Sequence, residues 1–378
     1  MKPQLKRSVG VTLDAASRGV LVYHRAHERL QLDDDDGSVA LLLELLAEGT
    51  RTIAQLSAAM GAHGRSVSDT QMDCLVESLD NLGLLKDADA ETVDHEGQPS
   101  RHTSNLLYYE MFTSLSRSSP AIHSRATNAT VLLLGVGGVG CGVLQALVGA
   151  GVGTVRIVDM DHVETKNLAR QFCFGQASLG LRKVDAAAAW VTAYSPETHV
   201  EVHHEAIGDV HRIRQLAQGC QVVVCAIDSP ADAQLLVNDA CFDLGVPFVS
   251  GGLQQSTAFY WSVEPGISPC RRCLELHRDD GLATRDSALR DPALVRINRA
   301  NRGTGPVVQL LSGLMSLEVL RYVGRHDPPV AAAKYQWIAL ADGMAAGADP
   351  WTRHPACHSC QQRPTPVSPS DATDFAHA

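Results

Sequence analysis

The sequence lacks any excess of basic charge. Its 378 residues carry 32 Lys and Arg against 42 Asp and Glu, a formal net charge of −10. Duplex binding draws its affinity from clustered Lys and Arg on phosphate, so no nucleic acid is expected as the main partner. The start of the chain lacks a basic stretch followed by an apolar one, so no signal peptide is expected. No apolar run reaches the about 20 residues that a membrane-spanning helix needs, so no membrane partner is expected. Ten cysteines without an export signal point to a reducing cytoplasm, where thiols serve metals or the core rather than disulfides. Apolar residues, at 45% of the chain, are enough for a large core divided over two or three domains.

Local patterns divide the chain. In residues 1–90, "GVLVYHRAHERLQLD" reads as two short strands around a turn. "SVALLLELLAEG", "TIAQLSAAMG" and "VSDTQMDCLVESLDNLGLL" show helical spacing with Ser or Thr caps and glycine stops. Strands followed by three short helices predict a small winged-helix-like α+β domain. Residues 91–126 read as a polar linker and a helix. Beyond them, "VLLLG", "TVRIVD", "VEVHHE", "QVVVCAI" and "PFVSGG" read as strands alternating with the helices "VLQALVGAG", "KVDAAAAWVTAY" and "DAQLLVNDACFDLG". That alternation predicts an α/β fold, a Rossmann-like, mostly parallel sheet with helices on both faces. This domain is expected over 127–360, with a Pro- and Ser-rich, disordered tail over 361–378.

Gly135, Gly137, Gly138 and Gly140 lie between the first of those strands and its helix. Glycines there allow a tight turn and close backbone approach to phosphate, and the helix start offers free N–H groups. Asp159 ends the next strand, where an acid takes a ribose hydroxyl. On these residues alone nicotinamide and ATP fit equally, and a glycine turn without ligand is a third reading. "VDMDHVETKNLARQ" then adds Asp161, Asn167, Arg170 and Gln171, and Lys183 and Asp228 follow. Hydride transfer needs no such polar cluster beside the ribose, whereas steadying a triphosphate does. Arg170 and Lys183 can be the cations on phosphate oxygens, and Asp228, at the carboxyl end of a strand, the magnesium ligand.

As a set, "LLLGVGGVG", "RIVDMDHVETKNLARQ", Lys183 and "CAIDS" resemble the ubiquitin-activating-type (ThiF/MoeB/HesA-like) adenylating enzymes, among them those of molybdopterin, thiamine and microcin C biosynthesis. The resemblance implies binding of ATP and magnesium, joining of AMP to a carboxylate with release of pyrophosphate, and a homodimer. It implies a ribose-binding role for Asp159, phosphate contacts for Asn167, Arg170 and Lys183, a magnesium-linked, catalytically required Asp228, and a nucleotide loop containing Gly137 and Gly138. One departure stands out. Such enzymes carry an arginine before the first strand that reaches the neighbouring subunit's ATP. In "RHTSNLLYY" Ser104 falls at that place, and Arg101 is the nearby substitute.

Cys270-x-x-Cys273 and Cys357-x-x-Cys360 suit a tetrahedral zinc held by four thiolates, with Arg271, Arg272 and His358 nearby to soften the charge. A redox pair or free buried thiols is the alternative; the resemblance favours a structural zinc. The other six cysteines are expected in ordinary buried contexts, with a covalent role left open only for Cys173. Relatives that pass substrate to a thioester or persulfide often carry a cysteine in the loop after the first pair. Here "HRDDGLATRDSALRDPALVRINRANRGTGP" contains none, and its length and charge suit a segment covering substrate.

The first region also resembles the peptide-recognition element of ribosomal-peptide modifying enzymes, which takes a leader peptide as an added strand. Here the edge is expected from "GVLVYHRAH" or "ERLQLD", with a groove from the third helix; a docking or dimerisation module is the alternative. The combined expectation is ATP-dependent adenylation of a carboxylate, terminal or a Glu or Asp side chain, of a ribosomally made precursor peptide. Three rivals stay open: adenylation of a ubiquitin-like sulfur carrier, a catalytically inactive peptide-presenting scaffold, and a dehydrogenase. The last leaves Asn167, Arg170 and the cysteine pairs unexplained.

Overall fold

The structure, a computed structural model, describes residues 1–14, 19–25, 28–91, 100–283 and 303–361. The expected tail beyond Gln361 and residues 284–302 of the cysteine-free loop lie outside them. The chain divides into two compact units, the first Met1–Arg125 and the second Ala126–Ala372.

In the first unit the strands β1 (Pro3–Leu5), β2 (Gly10–Asp14), β3 (Gly19–Arg25) and β4 (Glu28–Asp33) precede the helices α1 (Ser38–Glu48), α2 (Ile53–Ala62) and α3 (Asp69–Asn81). They are followed by β5 (Leu85–Asp87), α4 (Thr103–Glu110) and α5 (Ser119–Thr127). The acidic run before α1 is a helix-start device. Asp34 accepts the N–H groups of Val39 and Ala40 at 2.9 and 3.0 Å, satisfying donors that a helix start leaves free and placing negative charge at its positive end. In α3 the Ser68 hydroxyl accepts from Gln71 N–H at 3.3 Å while the Gln71 side chain accepts from Ser68 N–H at 3.0 Å, a reciprocal cap. Val20 and Val22 of β3, Leu42, Leu43 and Leu46 of α1, and Leu56, Met60, Met72 and Val76 of α2 and α3 form one buried cluster. β3 lies in the middle of the sheet β2-β3-β4, so it offers no edge, contrary to one of the two sequence expectations. Cys74, expected to be buried, is exposed on α3.

The second unit is built on β6 (Thr130–Leu134), α6 (Gly138–Gly149), β7 (Thr154–Val158), α7 (Lys183–Tyr194), β8 (His199–His203), α8 (Val210–Ala217), β9 (Val222–Cys225), α9 (Ala233–Leu244) and β10 (Phe248–Gln254). The chain continues through β11 (Thr257–Val263), α10 (Arg271–Ala283), α11 (Gly305–Gly324), β12 (Lys334–Ala339), β13 (Ala345–Pro350) and α12 (His358–Gln361). Its eight-stranded sheet runs β13-β12-β11-β10-β9-β6-β7-β8. β10, β9, β6, β7 and β8 are parallel, and β11 to β13 extend them antiparallel. The Rossmann-like, mostly parallel α/β sheet is therefore present, with an antiparallel flank that the sequence pattern did not reveal.

Alternation explains why the strands read as unbroken apolar runs. Val131 and Leu133 face one buried cluster with α6, α7 and α11, while Leu132 and Leu134 face the other with α8 and α9. α11 has the length and mean hydropathy of a membrane span, but Glu318 and Arg321 interrupt its apolar run and 61% of its most apolar 18-residue window is buried inside the fold. It lies hard against α6: a Cβ on Gly142 would meet the Ser312 side chain at 2.5 Å, and Ser312 donates to the Val139 carbonyl at 2.9 Å.

Gly135 has φ +94°, and a Cβ there would lie 2.6 Å from the Ala226 carbonyl oxygen, so both conformation and space demand glycine. A Cβ on Gly140 would land on the Gly135 carbonyl oxygen, whereas one on Gly137 meets no heavy atom within 4 Å. Gly140→Ala is therefore expected to lower the unfolding free energy by about 3 kcal/mol through overpacking. Gly137→Ala should shift it by less than about 1 kcal/mol, the scale of a cap change. Urea unfolding of the two variants checks the difference.

Candidate nucleotide site and cysteine cluster

The parallel strands split at one place. From β6 the chain moves to β7 and β8 on one side, then returns to β9 on the other. Crevices at the carboxyl ends of strands that diverge in this way are where open α/β sheets bind ligands. The glycine turn leaves β6 and Asp228 follows β9, so both lie at that split, and the close approach of Gly135 to Ala226 joins the two segments.

Asp159, half-buried at the end of β7, is oriented by backbone. Its Oδ2 accepts the Val136 N–H of the glycine turn at 2.8 Å, and its Oδ1 accepts the Asp161 N–H at 2.8 Å. Each oxygen keeps a lone pair for a sugar hydroxyl. The stem of Arg170 crosses the start of α6: its Cδ and Nε would lie 3.4 and 3.5 Å from a Cβ on Gly138. Among the described residues its guanidinium makes one hydrogen bond, from Nη1 to the Lys166 carbonyl at 3.2 Å, and no ion pair. A cation held over the positive end of a helix, with no carboxylate among the described residues to offset it, makes a site that calls for an anion.

The remaining predicted residues are partly engaged with one another. Lys183, buried at the first position of α7, donates to Asp161 Oδ2 at 2.7 Å, so a phosphate would have to share or displace that carboxylate. Asn167 is buried and its Oδ1 accepts the Glu164 N–H at 2.8 Å, bracing its own turn. Gln171 is buried with Oε1 unpartnered among the described residues. Asp228 is exposed, free to meet a hydrated cation through its carboxylate. Cys173, for which a covalent role was open, is buried with its thiol on the Cys141 carbonyl at 3.6 Å. Burial, then the neighbouring Cys173 thiol, pushes the Cys141 thiol well above its usual range; buried thiols of this kind are poor nucleophiles. Nothing in the sequence pattern singled out His204, whose ring reaches Asp159 from the end of β8; its place directly after a parallel strand is the signal that could have found it.

The four cysteines of the two pairs converge. Cys270 and Cys357 sulfurs lie 3.5 Å apart, Cys273 and Cys360 3.4 Å, Cys270 and Cys273 3.8 Å, and all four within 4.8 Å of one another. Four sulfurs each about 2.3 Å from a zinc stand about 3.8 Å apart at tetrahedral corners, so the cluster fits that ion. Cys270 and Cys357 directly precede α10 and α12. Arg272 pairs with Asp239, and Arg271 pairs with Glu275 over the Trp261 ring. The two arginine charges are thus met by carboxylates as well as by any thiolates.

The first unit carries a groove of about 540 Å³ between β2 and α1, lined by Leu5, Val9, Val11, Leu13, Leu43 and Ala47 among others. Leu13 is 71% exposed, and β2 is an edge of its sheet. This groove lies at α1; the sequence pattern led us to expect one from the third helix. Ser104 and Arg101 are both exposed, Ser104 in α4.

Residues 113–359 match the model of the ThiF family. The chain therefore belongs to the ThiF family, the adenylating enzymes that its motifs resemble. Among curated proteins it is similar to the adenylyltransferase and sulfurtransferase MOCS3 of Sus scrofa, 31% identical over 252 residues that cover 66% of this chain and 52% of the relative. The MOCS3 of Dictyostelium discoideum is 27% identical over 256 residues, 66% of this chain and 56% of the relative. The chain spans about half the length of these relatives. Among solved structures it is similar to E. coli MccB, with TM-score 0.77 and 18% identity over 97% of this chain and 99% of that one. The same protein with ATP gives TM-score 0.72 and 19% identity over 95% and 100%. MccB, a microcin C7 biosynthetic enzyme, in complex with N-formylated MccA gives 0.71 and 18% over 95% and 100%. At these identities the likeness is one of fold.

Purified protein is expected to carry about one zinc per chain by elemental analysis, the stoichiometry of a four-thiolate site. Cys357→Ser should lose the metal and melt at lower temperature; a folded protein free of metal would refute the assignment.

Proposed function

We propose that the chain is an ATP-dependent adenylyltransferase that activates a carboxylate of a ribosomally made precursor peptide. The observation that carries the reading is Arg170, laid over the start of α6 beside Gly138 without an acidic partner among the described residues. A triphosphate supplies the missing negative charge. Gly135, Gly137, Gly138 and Gly140 form the loop around it, and Asp159 takes the ribose hydroxyls. Lys183, released in part from Asp161, joins Arg170 on the phosphate oxygens, with Asn167, Asp161 and Gln171 shaping the pocket. Asp228 would hold magnesium, which supplies positive charge on the phosphates.

In the reaction a carboxylate oxygen attacks the α-phosphorus. The bond from that phosphorus to the bridging oxygen breaks, and its electron pair leaves with pyrophosphate. Arg170 and Lys183 offset the charge that gathers on the leaving group. The product is a mixed anhydride of AMP and the peptide, open to attack by an amine or amide.

The peptide reading rests on the first unit. The fold likeness to MccB runs over nearly the whole chain, the first unit included, and the groove beside the β2 edge suits an extended segment added as a strand. A structural zinc at Cys270, Cys273, Cys357 and Cys360 and a homodimer in a reducing cytoplasm complete the proposal, with Arg101 as the cation offered to a second copy where Ser104 stands. The MOCS3 relatives favour a second reading, adenylation of a ubiquitin-like sulfur carrier. The cysteine-free loop between Cys273 and α11 weighs against transfer of sulfur by this chain.

Pyrophosphate exchange into ATP separates these readings. Exchange stimulated by a precursor peptide supports the first and exchange only with a ubiquitin-like protein the second. ATP binding absent altogether would leave a peptide-presenting scaffold. Asp228→Ala is expected to abolish exchange while leaving peptide binding, read by fluorescence anisotropy, unchanged.

A further inference from the structure

We infer that His204 reads the 6-amino group of adenine and so sets the nucleobase specificity of the ATP site; this rests on the adenylation reading above. The direction of the nucleotide follows from the order of the strands. Phosphates belong at the glycine turn after β6, and ribose hydroxyls at Asp159 after β7. β8 is next in the sheet and is its edge. A nucleotide extended from β6 to β7 therefore brings its base to the carboxyl end of β8, where His204 stands.

The link between that strand end and the ribose acid is tight. Asp159 N–H donates to the His203 carbonyl at 3.2 Å, and the Asp159 carbonyl lies 3.2 Å from His204 Nδ1. A backbone carbonyl can only accept, so Nδ1 carries the proton. In the neutral ring Nε2 is then a bare acceptor, on the side turned away from β7. The His162 ring stands edge-on to His204, centroids 5.4 Å apart at 81°, and limits how the His204 ring can turn. His204 is half-buried and His162 exposed, so this end of the crevice is open to a planar base. An acceptor held there takes a hydrogen bond from the amino group at position 6 of adenine. It faces the carbonyl oxygen of guanine acceptor to acceptor, which is repulsive.

The test compares ATP, GTP and the triphosphate of unsubstituted purine riboside, which differs from ATP only in lacking the 6-amino group. Dissociation constants are measured by titration calorimetry on the full chain with magnesium. The unmodified protein is expected to bind ATP about tenfold tighter than the purine analogue, the scale of one hydrogen bond, and GTP more weakly still. His204→Ala should bind ATP and the analogue alike. His204→Gln, whose amide oxygen reaches to the place of Nε2, should keep the preference. Equal binding of ATP and the analogue by the unmodified protein overturns the inference, as does a preference that survives in His204→Ala. If His204→Ala fails to fold, His204→Phe, which keeps a ring but no nitrogen, takes its place and should likewise bind ATP and the analogue alike. A protein that binds none of the three nucleotides overturns the adenylation reading itself, a result distinct from equal binding.

Discussion

Everything at the candidate site depends on one steric constraint, the closeness of Gly135 to Ala226 where β6 and β9 diverge. Side chains on neighbouring parallel strands would hold the two exits apart. Glycine, in a left-handed conformation that other residues avoid, lets the turn close down on the adjacent backbone. Three consequences follow. α6 starts directly above the sheet, its free N–H groups aimed into the crevice. Val136 N–H comes within reach of Asp159 and fixes the acid that ends β7. Asp228, two residues past Ala226, stands at the same rim. Packing of α11 against α6 through Gly142 and Ser312 then holds the helix from behind.

Much of this was legible in the sequence because short-range rules sufficed. The parallel strands are runs of Val, Ile and Leu buried on both faces, and the helices between them carry clear periodicity. The glycine turn declares itself by spacing, and the cysteines by two tight pairs. What escaped notice has a physical reason in each case. β13, "AAGADP", contains no β-branched or aromatic residue and sits exposed at the sheet edge, so pairing with β12 rather than propensity makes it a strand. α8 is strongly amphipathic but only eight residues long, too short to stand out. β11, "TAFYWSV", was strand-like in composition; its antiparallel direction, set by a hairpin at Gln255, breaks the alternating pattern that led the reading.

At the site, residue types could be named but not their pairings. That Lys183 would be bound by Asp161, or that Asn167 would spend its oxygen on its own turn, depends on distances no spacing rule fixes. The free protein therefore holds one cation neutralised and one exposed to need. On the adenylation reading proposed above, a triphosphate would exchange a carboxylate for a phosphate at Lys183 and add a partner at Arg170.

The cysteine cluster joins positions 87 residues apart in the chain, and between them lie α10, α11 and the antiparallel edge strands. If the proposed zinc binds there, the cross-link would close a loop of that length and, in the chain-entropy picture, remove about 4–5 kcal/mol of freedom from the unfolded chain. The helix that backs the glycine turn lies inside this closed loop. The segment between α10 and α11 could then lengthen or shorten at small entropic cost, each doubling adding only about 0.6 kcal/mol, while such a tether would keep the wall behind the glycine turn in register. Variation in that connection is thus mechanically separated from the scaffold that carries the glycine turn.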